Sequence, residues 1–319
     1  MVRRVVFCCL AAATAQDRPF RVQTRIVQVP AVITNKNGYS IDGLRAQDFT
    51  VLDNGVPQEI TVDDFAAGLP PISLVVAIQS SAISKLALAP IRRIAGMIEP
   101  VVIGQRGEAA VVSFDREIRW LQDFTTSDDE IRAAIKSVKP GALSGARIFD
   151  TIVEVAARTK ARPGRKILLL LSQSQDAGSS AKFQQAVEAL EREDIQVFAA
   201  HYSAYAMSWI AKSEDFPNKP ELDAMFFAEL ARIGAANHVK ALALATGGAD
   251  YPFARRRGIE NAIGKLGAEV QSQYLLSFPQ RVDSPGMHRI EVSLRDRADL
   301  NVRARRAYWA DQSGSQHPN

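Results

Sequence analysis

The sequence predicts an α/β protein: a doubly wound, mainly parallel sheet with helices on both faces, joined to a small β-rich domain formed by the N- and C-terminal flanks. Three observations predict it. Short runs rich in Val, Ile and Leu alternate with amphipathic helical segments through the middle of the chain, the pattern of parallel βαβ units. Ile72 to Ile78 reads as a continuous apolar run, as expected of a strand covered on both faces. The two flanks instead alternate residue by residue and carry tight-turn pairs, as half-buried antiparallel strands do.

The first element is a leader. Arg3 and Arg4 precede an apolar run from Val5 to Ala13, and Ala13-Thr14-Ala15 offers a small-x-small cleavage site, so residues 1–15 read as a secretory signal peptide. The run is about half the roughly 18 apolar residues that a membrane span needs, and no membrane span is expected. Cys8 and Cys9 are the only cysteines among the 319 residues, so the mature chain is expected to contain no disulfide, thiol nucleophile or cysteine-bound metal. The bulky Val5, Val6 and Phe7 argue against acylation of those cysteines as a lipoprotein. With 47% hydrophobic and 23% charged residues the composition is that of a globular protein. The formal charge of +4, about +2 without Arg3 and Arg4, makes no case for nucleic acid.

Residues 16–70 form the first β unit, with turns at Asn37-Gly38 and Asn54-Gly55. Pro70-Pro71 closes it, and residues 71–270 form the α/β domain. Its strands are expected at Ile72 to Ile78, Ala109 to Phe114, Ile167 to Leu171 and Ile195 to Ala199. Its helices are marked by Ile131, Ala134, Ile135 and Val138, and by Phe183, Ala186, Val187 and Leu190, each set at i, i+3, i+4, i+7. Ser203 to about Leu222, with Trp209, Pro217 and Pro220, reads as a surface insertion. A helix from Ala224 to about Ala245 is stopped by Gly247-Gly248, and another starts near Ile259. Residues 271–310 return to β pattern at Tyr274 to Phe278, His288 to Leu294 and Val302 to Trp309, and are expected to pair with the first β unit. Residues 311–319 read as a disordered tail.

Three segments carry a family resemblance: ISLVVAIQSSAIS, FDREIRWLQDFTTSDDEIRAAIKSVKPGALSGARIFDTI and GRKILLLLSQSQDAGSS. In order and spacing they resemble the von Willebrand factor A domain from about Ile72 to Gly267. The flanks, TRIVQVPAVITNKNGYSIDGLRAQDFTVLDNGVPQEI before it and SQYLLSFPQ, HRIEVSLR and VRARRAYWA after it, resemble the bacterial VWFA-related family of exported proteins. The resemblance implies a Mg²⁺-dependent adhesion site at the carboxyl ends of the strands, made by an Asp-x-Ser-x-Ser loop, a distant Thr and a distant Asp. Here the loop positions fall on Gln79, Ser81 and Ile83, the Thr on Ala146 and the last Asp on Gln173. Mg²⁺ wants oxygen ligands including carboxylates, and Gln79 and Gln173 bring no charge. No metal site is therefore expected and no cofactor is implied; a one-residue shift that puts Ser84 in place of Ile83 restores a hydroxyl but neither Asp.

The remaining acids of these loops, Asp115, Asp150 and Asp176, read as turn or helix caps in preference to ligands. His201, His238, His288 and His317 lack metal-ligand spacing. No Gly-x-Ser-x-Gly, Gly-x-Gly-x-x-Gly, Walker or His-Glu-x-x-His signature is present. Arg255-Arg256-Arg257 reads as a solvated helix entry, with an acidic surface or lipid headgroup as the rival reading. Trp209, Tyr202 and Tyr205 are interface or buried aromatics.

The leading expectation is a non-enzymatic, secreted or periplasmic module that presents Gln79, Ser80, Ser81, Ser84, Arg147, Gln173 and Asp176 to a protein partner. A structural envelope scaffold acting through the β unit or residues 203–222 is the second expectation. The remote third is a serine hydrolase with Ser80, Ser81 or Ser84 as nucleophile and His201 as base.

Overall fold

The structure, a computed structural model, describes residues 26–63, 68, 70–141, 145–202, 237–253, 256–280 and 285–310. The leader, the tail, the 203–222 insertion with Trp209 and Tyr205, Arg255 and the start of the helix expected from Ala224 lie outside the described residues, as do the side chains of Ile83, Arg256 and Arg257.

The first flank forms β1 (Ile26–Thr34), β2 (Phe49–Asp53), β3 (Val56–Pro57) and β4 (Thr61–Asp63). The α/β part supplies β5 (Ile72–Gln79), α1 (Lys85–Arg93), β6 (Glu108–Phe114), β7 (Ile118–Thr125), α2 (Asp128–Ser137), α3 (Ile148–Thr159), β8 (Arg165–Ser172), α4 (Phe183–Arg192), β9 (Ile195–His201), α5 (His238–Ala245) and α6 (Arg256–Gln271). The second flank adds β10 (Tyr274–Pro279), β11 (Gly286–Leu294), β12 (Asn301–Ala304) and β13 (Ala307–Ala310).

The central sheet runs β7-β6-β5-β8-β9. Three of its four pairings are parallel, and at the edge β7 returns antiparallel to β6. Residues 249–253 continue the sheet beside β9, where Ala199 and Tyr202 bridge in parallel to Asp250 and Phe253. All eight residues of β5 are buried, because alternate side chains enter two different cores. Leu74, Val76 and Ile78 meet α1, α2 and α6 through Leu88, Ile131 and Ile263. Val75 and Ala77 meet α3, α4 and α5 through Ile152, Val187 and Leu242. Among the described residues no helix is long and apolar enough to cross a membrane.

The flanks interleave into two antiparallel sheets, β12-β1-β10-β4 and β13-β11-β2-β3. Val29, Phe49, Leu276, Ile290 and Tyr308 fill the space between them. Asn54 and Gly55 both take positive φ, 47° and 80°, as a two-residue hairpin turn between β2 and β3 requires.

One expected strand is corrected. Val302 to Trp309 is not continuous: β12 belongs to the sheet of β1, and β13 to the sheet of β11. The break falls at Arg305-Arg306, because the Arg305 guanidinium turns into the α/β domain to meet Glu191 and Asp194. The period-2 alternation of Val302 to Arg305 is interrupted at the same point, where Arg305 and Arg306 are consecutive and Ala307 to Ala310 are all apolar. Gly247, at φ +74°, lies against this crossing, where a Cβ would stand 2.3 Å from the Arg305 nitrogen.

Candidate functional site

The carboxyl ends of β5, β6, β8 and β9 form one edge of the central sheet, the edge where open α/β sheets hold ligands. Gln79 is the last residue of β5, and its side chain reaches across to β8. Its Oε1 accepts the Gln173 backbone N–H at 2.8 Å, and its Nε2 donates to the Ser81 Oγ at 2.7 Å. A backbone N–H can only donate, so the orientation of this amide is set by its neighbour. The chain of bonds continues from Ser81 Oγ to Ser84 Oγ at 3.2 Å, and Tyr202, just past β9, donates its hydroxyl to Ser84 Oγ at 2.7 Å. Burial holds the Tyr202 hydroxyl neutral, raising its pKa above the ordinary phenol value, and outweighs the opposing effect of the Ser84 bond.

This hydrogen-bonded chain ties together the ends of three strands in the interior. Gln79 and Ser80 are 1% exposed, and Ser81 and Ser84 are 0% exposed. Ser80 is held separately, its Oγ and its N–H both donating to the Phe114 carbonyl of β6. The expected contact face is therefore corrected for these four residues. Their polar atoms satisfy one another and the backbone, so they support the edge from beneath it. Gln173, Arg147 and Asp176 are half-exposed around them.

The donor set does not fit Mg²⁺. The groups gathered here are two serine hydroxyls and an amide, all neutral, and the amide directs its NH₂ at Ser81 while its oxygen already holds a backbone N–H. A hard divalent cation needs several oxygen acceptors, with carboxylate charge to offset its dehydration. Ala146 is 2% exposed and offers only its backbone, which pairs both ways with Ala177. Ile83 lies on the turn Ala82–Ser84.

The acids of the edge are engaged as caps and turn ligands. Asp176 accepts the Phe149 N–H at 3.1 Å, at the start of α3, and the Ser179 hydroxyl at 2.6 Å. Burial raises its pKa in spite of these bonds. Asp150 accepts the Ser180 and Ala181 N–H groups leading to α4, at 3.0 and 2.7 Å, and pairs with Arg147 at 2.5 Å. Burial pushes the Asp150 carboxyl up, but the two backbone donors and Arg147 outweigh it and lower the pKa below the ordinary carboxylate value. Asp115, 5% exposed, is treated the same way by burial, the Glu117 N–H and a two-pronged contact with Arg119, with the same net lowering. The Arg147 guanidinium also donates to the Arg116 carbonyl and to Ser180 Oγ, at 3.2 and 3.3 Å.

The described histidines engage groups other than the loop serines. His201 Nδ1 lies 2.6 Å from Asp250 Oδ1, and no hydrogen bond joins it to Ser80, Ser81 or Ser84 among the described residues. His238 is buried, and its Nδ1 accepts the Asp176 N–H at 3.0 Å. His288 is buried between the flank sheets with Asp53 and Tyr308, at 2.7 and 3.1 Å. The sequence places Tyr202 only among interface or buried aromatics; its reach to Ser84 comes from the fold, in which β9 runs on to His201.

Comparison with known proteins returns folds alone. No family model matches the chain, and no curated protein matches its sequence. Among solved structures it is similar to the vWF domain of the type V pili tip protein Mfa5 from Porphyromonas gingivalis, with a TM-score of 0.43, 10% identity, and 63% of this chain and 95% of that one covered. It is also similar to the conserved hypothetical protein BatB from Bacteroides thetaiotaomicron (TM-score 0.41, 10% identity, 62% and 99% covered). A third is an aerotolerance-related membrane protein from Bacteroides fragilis (TM-score 0.45, 14% identity, 62% and 99% covered). The α/β class expected from the sequence is the class of the observed central sheet.

Proposed function

We propose that this chain is an exported, non-enzymatic protein-binding module of the von Willebrand factor A type, in which a neutral hydrogen-bonded plug takes the place of the adhesion metal. The observation that carries the reading is the Gln79 amide, which bridges the ends of β5 and β8 with its donor group turned towards Ser81. The plug holds the loops in one arrangement without a cation. Binding then rests on the half-exposed rim, Gln173, Arg147 and Asp176, with the exposed Ala177 and Gly178 beside it. Export rests on the leader-like residues 1–15 of the sequence.

Calorimetric titration with Mg²⁺ and Mn²⁺ tests the metal-free reading. The native chain should give no binding heat, and sub-millimolar binding would overturn the proposal. The Gln79→Asp, Gln173→Asp double variant serves as the comparison. The partner reading is tested by a photo-crosslinking residue at Ala177, which should trap a protein adduct with chelator present; a trap that needs divalent metal contradicts it.

A further inference from the structure

The sheet switch at Arg305-Arg306 opens a second candidate surface, remote from the plugged strand ends. β11 has two partners along its length: Gly286 to Arg289 pair with β13, while Ile290 to Leu294 pair with β2. The Ile290 N–H still bonds the Arg306 carbonyl at 2.8 Å, but the Arg306 N–H turns away to the Ala245 carbonyl at 3.3 Å instead of returning the bond. Backbone groups alternate in direction along a strand. Arg289 faces β2's side, where its N–H and carbonyl meet Asn54, so Ile290 and Val292 direct theirs the other way. Among the described residues that side has no strand beyond Ile290, and the Val292 N–H and carbonyl have no backbone partner there.

What lies there is a cleft of about 670 Å³, walled by Val292, Val302 and Leu244 and rimmed by Arg289, Arg303 and Arg306. Glu291 is the one acid lining it. Arg303 is held in place by Glu269 and the Gly247 carbonyl, and Arg289 lies 3.4 Å from Glu291. The Arg306 side chain is exposed and has no partner among the described residues. An unpaired strand edge recruits an extended chain through main-chain bonds, and an excess of guanidinium groups selects that chain's charge.

We infer that this cleft binds an extended acidic segment of a partner protein, which adds as a short strand beside Ile290 and Val292 with its carboxylates towards Arg306 and Arg289. About three residues, roughly 10 Å of strand, match that open stretch.

The test is fluorescence anisotropy with a labelled hexapeptide alternating glutamate and valine, against the same peptide N-methylated at alternate residues and a lysine-for-glutamate version. The acidic peptide should bind, weaken about tenfold or more on N-methylation because its main-chain donors are removed, and weaken by roughly the same factor with Arg306→Glu, which leaves the lysine peptide no worse. Equal binding of the N-methylated peptide, equal binding of the lysine peptide to the native chain, or no binding of the acidic peptide at millimolar concentration would each overturn the inference. N-methylation alters the probe and not the protein, so a variant that folds poorly cannot imitate the expected result.

Discussion

At the scale of single residues, Gln79 and Glu191 carry the sharpest consequences. Gln79→Leu fills similar space but leaves the part-buried Gln173 N–H and the buried Ser81 hydroxyl without the amide that holds them. A buried polar group left unsatisfied costs about 1–3 kcal/mol, so urea unfolding should show a loss of that size; a loss below about 0.5 kcal/mol would mean that the plug is not a structural tie. Glu191 is fully buried beside Arg305. Burial pushes its carboxyl up to about 7, only partly opposed by Arg305. The folded chain then holds this proton more tightly than the unfolded one. The group's contribution is fully present below about pH 4.5 and is lost as pH rises through 7, a span worth on the order of 3 kcal/mol. Glu191→Gln should flatten this part of the stability profile, and a slope unchanged by the substitution would refute it.

At the scale of elements, two acids expected from sequence to act as caps do so across loops. Asp176 serves α3, and Asp150 serves the turn into α4. Asp176→Ala should cost about 0.5–2 kcal/mol, the usual range for a lost cap, and should speed amide exchange at the start of α3 before it affects α2; uniform acceleration would contradict a local role. The capping role was legible from residue type, because Asp is a favoured cap and turn residue, but which segment each acid serves was not, since Asp176 reaches back to Phe149 and Asp150 forward to Ser180 and Ala181. The sheet switch between β12 and β13 was missed although the alternation breaks at the adjacent Arg305-Arg306: the break marks an interruption, but not that Arg305 turns to Glu191 and Asp194 while β13 joins a different sheet. The inward turn of the serines was not legible, since Ser80, Ser81 and Ser84 have the composition of an exposed loop and become interior only through Gln79, Phe114 and Tyr202.

At the scale of the whole molecule, the flank sheets and the α/β domain are joined by buried and part-buried polar contacts. Arg305 meets Glu191 and Asp194, Arg303 meets Glu269, and Arg165 reaches Gln273, which bonds Gln196 at 3.2 Å. Arg192 also stacks over Trp309 at 3.8 Å. Removing one member of a buried pair strands its partner, at a cost of about 3–5 kcal/mol. Arg305→Ala should therefore lower the stability of both parts together, and calorimetry of the native chain should show one unfolding transition. Two transitions, with only the flank sheets affected by Arg305→Ala, would show that the parts fold independently.

Sequence by itself determined the α/β class, the order of the main strands and helices and the turn at Asn54-Gly55. These follow from periodicity, turn chemistry and residue type, which are local properties of the chain. Tertiary structure decided which way the Gln79 amide faces, that the loop serines lie inside, and that Arg305 breaks a strand to anchor two parts of the molecule. Each depends on contacts between residues far apart in the chain, such as Gln79 with Gln173, Ser84 with Tyr202 and Arg305 with Glu191, and no local pattern encodes such distances.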